Sequence, residues 1–357
     1  MTAYQPQSEI RLKKAAPGLQ VVTPQRSRGW MRRLESGALA TLLFAGAPLR
    51  GFAAETNPAN ARTEIHFAFS KTMFAGVNEN DARAALKVYA QNIGDQNGLY
   101  VNDTPLLLDG TNAIARAMEL KQADLFVLAA EEFIALEHQG LEGPLLLSKT
   151  QEKFTEDYLL LAHEDGGLRR VEDLKGRSLN VPSDARSTLS RLWLEVLCRE
   201  HGLGPANQVL ARIASTEKTP QAVLPVFFGK ADACVVTRNG WEVMCELNPQ
   251  LKMQLRIVAA SPSLVPTVTC FRHGFSEKFK QRTIKAVELS STKPSFQQIM
   301  VLFKSDQISS EPLEVLKPTR ELVAIYHQFC GETNDAGALV KVPRHLLGEM
   351  EGSGNQE

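Results

Sequence analysis

The segment over residues 181–189 carries the densest group of side chains able to bind an anion. Ser183, Ser187 and Thr188 supply hydroxyl donors, and Arg186 supplies a fixed positive charge. An apolar run typical of a strand precedes the segment, and a long amphipathic stretch typical of a helix follows it. A helix start offers free backbone N–H groups and the positive end of the helix dipole. These groups predict a cradle for a small oxyanion; the alternative is that the hydroxyls only cap a surface helix.

A second cation stands at the end of a later apolar run. Arg238 directly follows residues 231–237, which read as a buried strand. In α/β proteins, ligands bind outside the carboxyl ends of the strands. Arg238 is therefore a candidate clamp for an anion. The alternative is that it lies on the first turn of a helix.

The sequence contains none of the common catalytic or metal-binding motifs. No G-x-S-x-G, H-E-x-x-H or P-loop pattern occurs. The five cysteines form no C-x-x-C pair, and no histidine stands at ligand spacing from Cys234 and Cys245, which argues against zinc. We therefore predict a binding protein with no catalytic residue, no metal and no cofactor.

Length and composition are typical of a soluble globular protein of two domains, or of three small ones. The chain has 357 residues, of which 43% are apolar and 22% charged. Its 40 basic and 40 acidic residues cancel. A protein that binds nucleic acid through a basic surface would carry more positive charge.

Residues 1–53 differ from the rest of the chain. They hold eight Lys or Arg and two acidic residues, so residues 54–357 carry a net charge of −6. Residues 37–49 are uncharged, too short to span a membrane, and of the length found in secretory signal peptides. We predict an N-terminal extension with a signal peptide over residues 1–53, and export to the periplasm. Met31 is an alternative start to Met1, and the alternative for residues 36–49 is a buried core helix.

Short apolar runs alternate with longer amphipathic ones, which predicts an α/β fold. Thr111 or Asn112 is placed to cap the second helix. Strands are predicted over residues 65–69, 105–109, 123–129, 208–213, 231–237, 255–260 and 265–271. Residues 173–182 are predicted to form a turn and a strand, and residues 158–163 form another apolar run. Helices are predicted over residues 78–93, 111–120, 130–137, 187–201, 220–228, 276–289, 295–303 and 319–329.

One pattern occurs twice in the chain. Residues 120–128 and residues 228–236 each contain a helix end, a turn, an aspartate and a buried strand. The aspartates are Asp124 and Asp232. Two similar α/β halves would enclose a cleft between them, and such clefts are common ligand sites.

The chain resembles a known family at several of these places. Residues 171–179, the segment 183–188 with its following helix, the paired segments 113–125 and 221–233, and residues 258–266 resemble phosphate-, phosphite- and phosphonate-binding proteins of ABC importers, the PhnD-like group. Each motif is short, but their order and spacing are specific. The resemblance covers residues 63–330.

This resemblance implies a two-lobed periplasmic binding protein of the type II fold, with two crossover strands and a ligand cleft between the lobes. Lobe one would comprise residues 63–159 plus 266–330, and lobe two residues 160–265. Residues 331–357 would form a flexible tail.

The resemblance also implies which residues meet the ligand. Lobe two would use Ser183, Ser187 and Thr188, while lobe one would use Thr111, Asn112 and the loop that contains Thr72. The family commonly has a Ser-Thr-Ser-Gly run where this chain has residues 186–189, and its Trp-x-Gly-Pro turn is replaced at residues 127–130. These departures concern the identity of the ligand more than the fold.

The implied function is the periplasmic solute-binding component of an ABC importer. Its ligand would be a small oxyanion such as phosphonate, phosphite or phosphate, and its partner an inner-membrane permease. We expect a monomer that binds no nucleic acid. One alternative is a periplasmic sensor module that signals to a histidine kinase, and another is an enzyme on the same scaffold.

Overall fold

The computed structural model describes residues 64–331, apart from residues 76, 98, 103 and 301–303. The predicted extension and signal peptide over residues 1–53 lie outside the described residues, as does the predicted tail beyond residue 331. Within the described part of the chain, no helix combines the length and apolar character needed to cross a membrane.

The first of two large sheets has six strands among the described residues. They are β2 (Phe67–Ser70), β4 (Leu106–Leu108), β5 (Leu125–Ala129), β6 (Leu141–Lys149), β12 (Thr267–Arg272) and β13 (Gln307–Glu311). The spatial order is β13-β6-β12-β5-β2-β4. Strand β2 pairs in parallel with β4 and β5, whereas β12 runs antiparallel to β5 and β6, and β13 antiparallel to β6.

The second large sheet has five strands in the same described region. They are β7 (Tyr158–His163), β8 (Ser178–Pro182), β9 (Arg212–Thr216), β10 (Ala233–Thr237) and β11 (Leu255–Ala260). The order is β11-β7-β10-β8-β9, with β8 parallel to β9 and β10 and β7 antiparallel to β10 and β11. A short parallel pair, β1 (Glu64–Ile65) and β3 (Tyr100–Val101), lies apart from both sheets.

Helices occupy the connections between strands. They are α1 (Glu79–Asn97), α2 (Gly110–Glu119), α3 (Ala130–Leu136), α4 (Ser190–Glu200), α5 (Ala206–Val209), α6 (Thr219–Phe227), α7 (Arg238–Leu247), α8 (Gln250–Gln254), α9 (Glu277–Ser291), α10 (Pro294–Met300) and α11 (Lys317–Gly331). Trp193 on α4 and Trp241 on α7 are buried in the core around the second sheet.

The chain crosses between the sheets twice, after β6 and again after β11. The two crossing segments run side by side: Glu156 N donates to Leu264 O at 2.7 Å, and Leu264 N donates to Glu156 O at 2.9 Å. After β13 the chain continues into α11, which packs against α3 and α4. Thr319 on α11 accepts a hydrogen bond from Val265 N at 2.9 Å. The helix therefore joins elements of both sheets beside the crossings.

The repeated sequence pattern corresponds to repeated contacts. Asp124 precedes β5, accepts from His66 N at 3.1 Å and pairs with Arg272 at 3.0 Å. Asp232 precedes β10, accepts from Ser178 N at 2.8 Å and pairs with Arg177 at 3.1 Å. In each half, the aspartate fixes the start of the neighbouring parallel strand.

Some predicted elements are wrong or incomplete. The strand predicted over residues 208–213 is instead the short helix α5 followed by β9, because a turn of helix begins directly after Pro205. Strands β6 and β13 were not predicted. Strand β6 contains Pro144, which normally argues against a strand interior, and β13 is mostly polar.

Helix α2 begins one residue before the prediction. Gly110 is its first residue, Asp109 occupies the N-cap position, and no side chain caps the helix. The predicted cap by Thr111 or Asn112 is therefore wrong. Both residues lie in the first turn and are exposed.

Candidate ligand cleft

A cavity of about 840 Å³ lies between helices that belong to the two sheets. The first-sheet side contributes α3 and Thr111 from α2, and the second-sheet side contributes α4, α5 and Ile213. Helix α11 supplies a further wall. Two of the predicted ligand residues, Thr111 and Thr188, line this cavity from opposite sides.

The pattern of α4 explains how it contributes to the cavity. Trp193, Val196 and Leu197 are buried in the core around the second sheet. Arg191, Glu195 and Arg199, at a spacing of four, line the cavity. Amphipathic periodicity alone thus presents one face of α4 to the cavity along the whole helix.

The lining combines both signs of charge. Arg199 Nε donates to Glu195 Oε1 at 2.7 Å, so these two charges neutralise each other. Arg191 Nη2 donates to Ser215 Oγ at 2.7 Å. The charged or titratable lining residues are Glu131, Glu132, Arg191, Glu195, Arg199 and His327.

The predicted cradle on the second sheet is capped by a carboxylate of the protein. Asp184 Oδ1 accepts from Arg186 N at 3.0 Å and from Ser187 N at 3.1 Å. These two N–H groups belong to the helix start that the sequence analysis predicts to bind an oxyanion. Asp184 Oδ2 lies 2.5 Å from Lys304 Nζ, a residue that precedes β13 of the first sheet. Ser183 N and Oγ both donate to Thr216 O.

Arg186 forms an ion pair with a second carboxylate of the protein, that of Glu156. Its Nε and Nη2 atoms lie 2.5 Å from Glu156 Oε1, and its Nη1 donates to Ser148 O at 3.1 Å. Arg186 and Glu156 are both buried. The guanidinium therefore ties the cradle segment to a crossing segment and to β6, and it does not line the 840 Å³ cavity.

The predicted ligand residue of the first sheet, Thr72, also contacts a carboxylate. Glu132 on α3 accepts from Ser70 Oγ at 2.7 Å, from Thr72 Oγ1 at 3.1 Å and from Ala129 N at 3.0 Å. Lys71, from the same loop, pairs with Asp109 at 3.6 Å. Thr72, the Arg186 guanidinium and the N–H groups of Arg186 and Ser187 thus all contact acids of this chain.

Two other predicted ligand residues, Asn112 and Arg238, do not line the 840 Å³ cavity. Asn112 lines a different hollow, of about 710 Å³, together with Arg116 and Arg272. Arg238 is the first residue of α7, and its Nε donates to Asp157 Oδ2 at 2.8 Å. Thr188 Oγ1 donates to Pro266 O at 3.0 Å, which links α4 to the second crossing segment.

Glu131 on α3 was not predicted from the sequence. Burial, reinforced by the neighbouring charge of Glu132, raises the pKa of Glu131 to about 7. Its position next to Glu132 at the start of α3 is visible in the sequence, but only the packing of α3 against the cavity gives it a role. Arg191 was missed too, although it stands one helical turn after Ser187.

Nothing in the described residues forms a metal site: no group of three or more His, Cys, Asp or Glu side chains is arranged to hold an ion. Cys198, Cys234 and Cys270 are buried, and burial raises the pKa of the Cys198 thiol to about 12.

Residues 98–315, more than half of the chain, match the model of a family described as the ABC transporter, phosphonate, periplasmic substrate-binding protein. The chain belongs to this family. The family resemblance drawn from the sequence is therefore confirmed. The protein is a substrate-binding component of an ABC transporter, whose partners are a small ligand and a membrane permease, and the family is periplasmic.

Solved structures show the same fold at low sequence identity. A binding-protein component of an ABC phosphonate transporter from Pseudomonas aeruginosa is 15% identical, with a TM-score of 0.53 over 78% of this chain and 91% of that chain. PhnD1 from Prochlorococcus marinus (MIT 9301), in complex with methylphosphonate, is 14% identical, with a TM-score of 0.53 over 74% and 98%. XAC2383 from Xanthomonas citri, bound to ATP, is 14% identical, with a TM-score of 0.54 over 75% and 98%.

The predicted α/β architecture and type II fold are confirmed by these likenesses. No curated protein sequence matches the chain. The likenesses establish the fold, while the ligand has to be inferred from the cleft.

Proposed function

We propose that the cavity between α2 and α4 binds a phosphorus oxyanion such as phosphonate, phosphite or phosphate, and that the protein delivers it to the permease. The observation that carries this proposal is the meeting of Thr111 and Thr188 in one cavity: Thr111 lies on α2 of the first-sheet side, and Thr188 lies in the turn before α4 of the second-sheet side. Arg191 on the first turn of α4 supplies a guanidinium at the same wall. The lobes built around the two sheets would close on the anion by the hinge motion of two-lobed binding proteins.

The bound anion would accept hydrogen bonds from the Thr111 hydroxyl, from the Arg191 guanidinium and from the Thr188 hydroxyl, which would turn its hydrogen from Pro266 O to the anion. Bonds to a charged partner are shorter and stronger than neutral ones. The net charge of −6 over residues 54–357 cannot attract an anion, so local donors must do so. Glu131 opposes an anion when ionised, and we expect it to be protonated in the complex.

Calorimetry on the purified protein tests the proposal. We expect phosphate, phosphite or methylphosphonate to bind and acetate not to bind. Thr188→Val and Arg191→Gln should each weaken the binding at least tenfold, which corresponds to about 1.4 kcal/mol.

Two matched variants serve as controls. Thr292→Val changes an exposed threonine after α9, and Arg83→Gln changes an exposed arginine on α1. Both should bind like the wild type. The proposal would be refuted if no phosphorus oxyanion bound, or if Thr188→Val and Arg191→Gln bound the anion with unchanged affinity.

We also propose that residues 1–53 are removed on export and that the exported chain is a monomer. The basic and apolar pattern of those residues supports the first statement. Mass spectrometry of the protein recovered from the periplasm gives the mature N-terminus, and light scattering gives its mass. An uncleaved chain or a dimer would contradict the respective statement.

A further inference from the structure

The cavity is longer than a bare oxyanion requires. Its lining begins at Thr188, two residues before α4, and follows the face of α4 that carries Arg191, Glu195 and Arg199. The eight helical steps from Arg191 to Arg199, at 1.5 Å per residue, span about 12 Å. The volume of about 840 Å³ falls in the range that encloses organic ligands of drug size.

Helix α11 forms part of this cavity. Val323, Tyr326 and His327 lie on its wall. The helix begins at Lys317, after the end of the family match at residue 315, so these side chains lie outside the region that defines the family. The family match therefore does not determine which side chains stand on this wall.

Several contacts fix α11 in place. Arg199 Nη1 donates to Phe329 O at 3.0 Å, and Arg320 pairs with Glu137 of the segment after α3. Leu322 and Phe329 pack in the core around the second sheet. Because the helix is anchored at both ends, the position of its cavity-facing side chains is set by the fold.

The chemistry of this part of the cavity suits an organic body more than an ion. Leu192, Ile213 and Val323 offer apolar surface. The rings of Tyr326 and His327 lie 5.7 Å apart with an interplanar angle of 68°. An aromatic substituent could pack on either ring in an offset-stacked or edge-to-face arrangement.

We propose that α11 determines specificity: Tyr326 and His327 contact an apolar or aromatic substituent carried by the oxyanion, so the preferred ligand is an organophosphonate or phosphate monoester with an extended organic body. This inference rests on the proposed function, because the oxyanion end of the ligand is the one assigned there to Thr188 and Arg191.

A graded series of probes tests it by calorimetry: methylphosphonate, butylphosphonate and 4-phenylbutylphosphonate. Affinity should rise along the series, by at least tenfold from the first probe to the last, because each step buries more apolar surface. Tyr326→Ala and His327→Ala should weaken the phenylbutyl probe at least fivefold and leave methylphosphonate within twofold. His138→Ala, which changes a histidine that is 93% exposed and outside the cavity, is the control.

The outcomes separate the two proposals. If methylphosphonate binds but affinity does not rise along the series, the specificity inference is wrong and the proposed function stands. If Tyr326→Ala and His327→Ala weaken both probes equally, α11 has only a structural role and the inference is also wrong. If no probe binds the wild type, both proposals fail. Tyr326→Phe, which keeps the ring, should retain the affinity for 4-phenylbutylphosphonate.

Discussion

The guanidinium of Arg186 lies 2.5 Å from Glu156 Oε1, and each side chain is only 5% exposed. Arg186 also donates to Ser148 O of β6. The pair joins the start of the α4 segment, one crossing segment and the first sheet at a single buried point. The charge of Arg186, which the sequence analysis assigns to the anion site, is therefore neutralised by Glu156.

This pair predicts a large stability effect. Arg186→Met leaves Glu156 buried without its counter-charge, and breaking one side of a buried pair costs about 3–5 kcal/mol. Urea unfolding should show that loss. Replacing both residues, as Arg186→Met with Glu156→Leu, should recover most of the stability because no unpaired charge remains. Arg83→Met removes an ion pair with Glu79 that is exposed and screened by solvent, so its stability should stay close to that of the wild type. If Arg186→Met alone were as stable as the wild type, that result would contradict the buried pairing of Arg186 with Glu156.

The second prediction concerns Asp184 and the affinity of the protein for phosphorus oxyanions. Its carboxylate holds two backbone N–H groups beside the cleft and also pairs with Lys304. Asp184→Asn keeps an acceptor for the N–H groups but removes the negative charge. Phosphate or methylphosphonate should therefore bind severalfold more tightly to Asp184→Asn than to the wild type in calorimetry.

Asp184→Ala separates charge from capping. This variant loses the acceptor as well, so it should be destabilised by about 1 kcal/mol, as for other lost caps. Its anion affinity should also rise, since the two freed N–H groups become available. Weaker anion binding in both variants would mean that Asp184 helps to build the site and does not compete with the ligand.

The third prediction concerns pH. The pKa of Glu131 rises to about 7 from an ordinary value of 4.5, chiefly through burial and further through the charge of Glu132. Between these values the folded protein holds a proton that the unfolded chain releases. The stabilisation is full below about pH 4.5 and is lost as pH rises through 7. Glu131→Gln should remove this loss, so its unfolding free energy should fall less than that of the wild type between pH 5 and pH 8.

The same titration should affect the ligand. Oxyanion affinity should drop as Glu131 ionises, and Glu131→Gln should flatten that drop. Glu132, Glu195, Arg191, Arg199 and His327 line the same cavity and are unchanged in the variant, so the difference between the two proteins isolates Glu131. Glu321→Gln, which alters an exposed glutamate of α11, should follow the wild-type profile. Identical profiles for Glu131→Gln and the wild type would contradict the assignment.

The fourth prediction concerns the two equivalent aspartates. Asp124→Ala and Asp232→Ala each remove a hydrogen bond to the backbone at a strand start and an ion pair with an arginine. We expect each to lower the unfolding free energy by about 1.5–3 kcal/mol, the range for hydrogen bonds to charged groups. Urea unfolding with asparagine replacements as partial-rescue controls measures this. If only one of the two alanine variants had a lower unfolding free energy, the two aspartates would not be equivalent.

Much of the architecture could be predicted because it depends on local patterns. The 3.6-residue periodicity of α4 and the apolar runs of β5 and β10 indicate both their type and their buried faces. The repeated aspartates indicated two similar halves, and Asp124 and Asp232 do make matching contacts. Strand β13 could not be predicted in this way, because its polar residues form a strand only through pairing with β6.

The site was less predictable than the fold. Ser183, Ser187 and Arg186 have the right types for an anion cradle, but residues distant in the sequence provide their partners. Glu156 reaches Arg186 across 30 positions, and Lys304 reaches Asp184 across 120. Pairings of this kind leave no periodic signal, so residue type alone cannot distinguish a ligand donor from a donor already used.

The sequence by itself determined the α/β class, the core face of α4 and the family, because these depend on short-range periodicity and on the order of local motifs. Only the tertiary structure decided which polar groups face the cavity. Whether Thr188 or Arg186 lines it depends on how α3, α4 and α11 pack together and on which carboxylates come within hydrogen-bond distance. Those contacts are set by the packing of distant segments, whose positions are fixed only when the whole chain is folded.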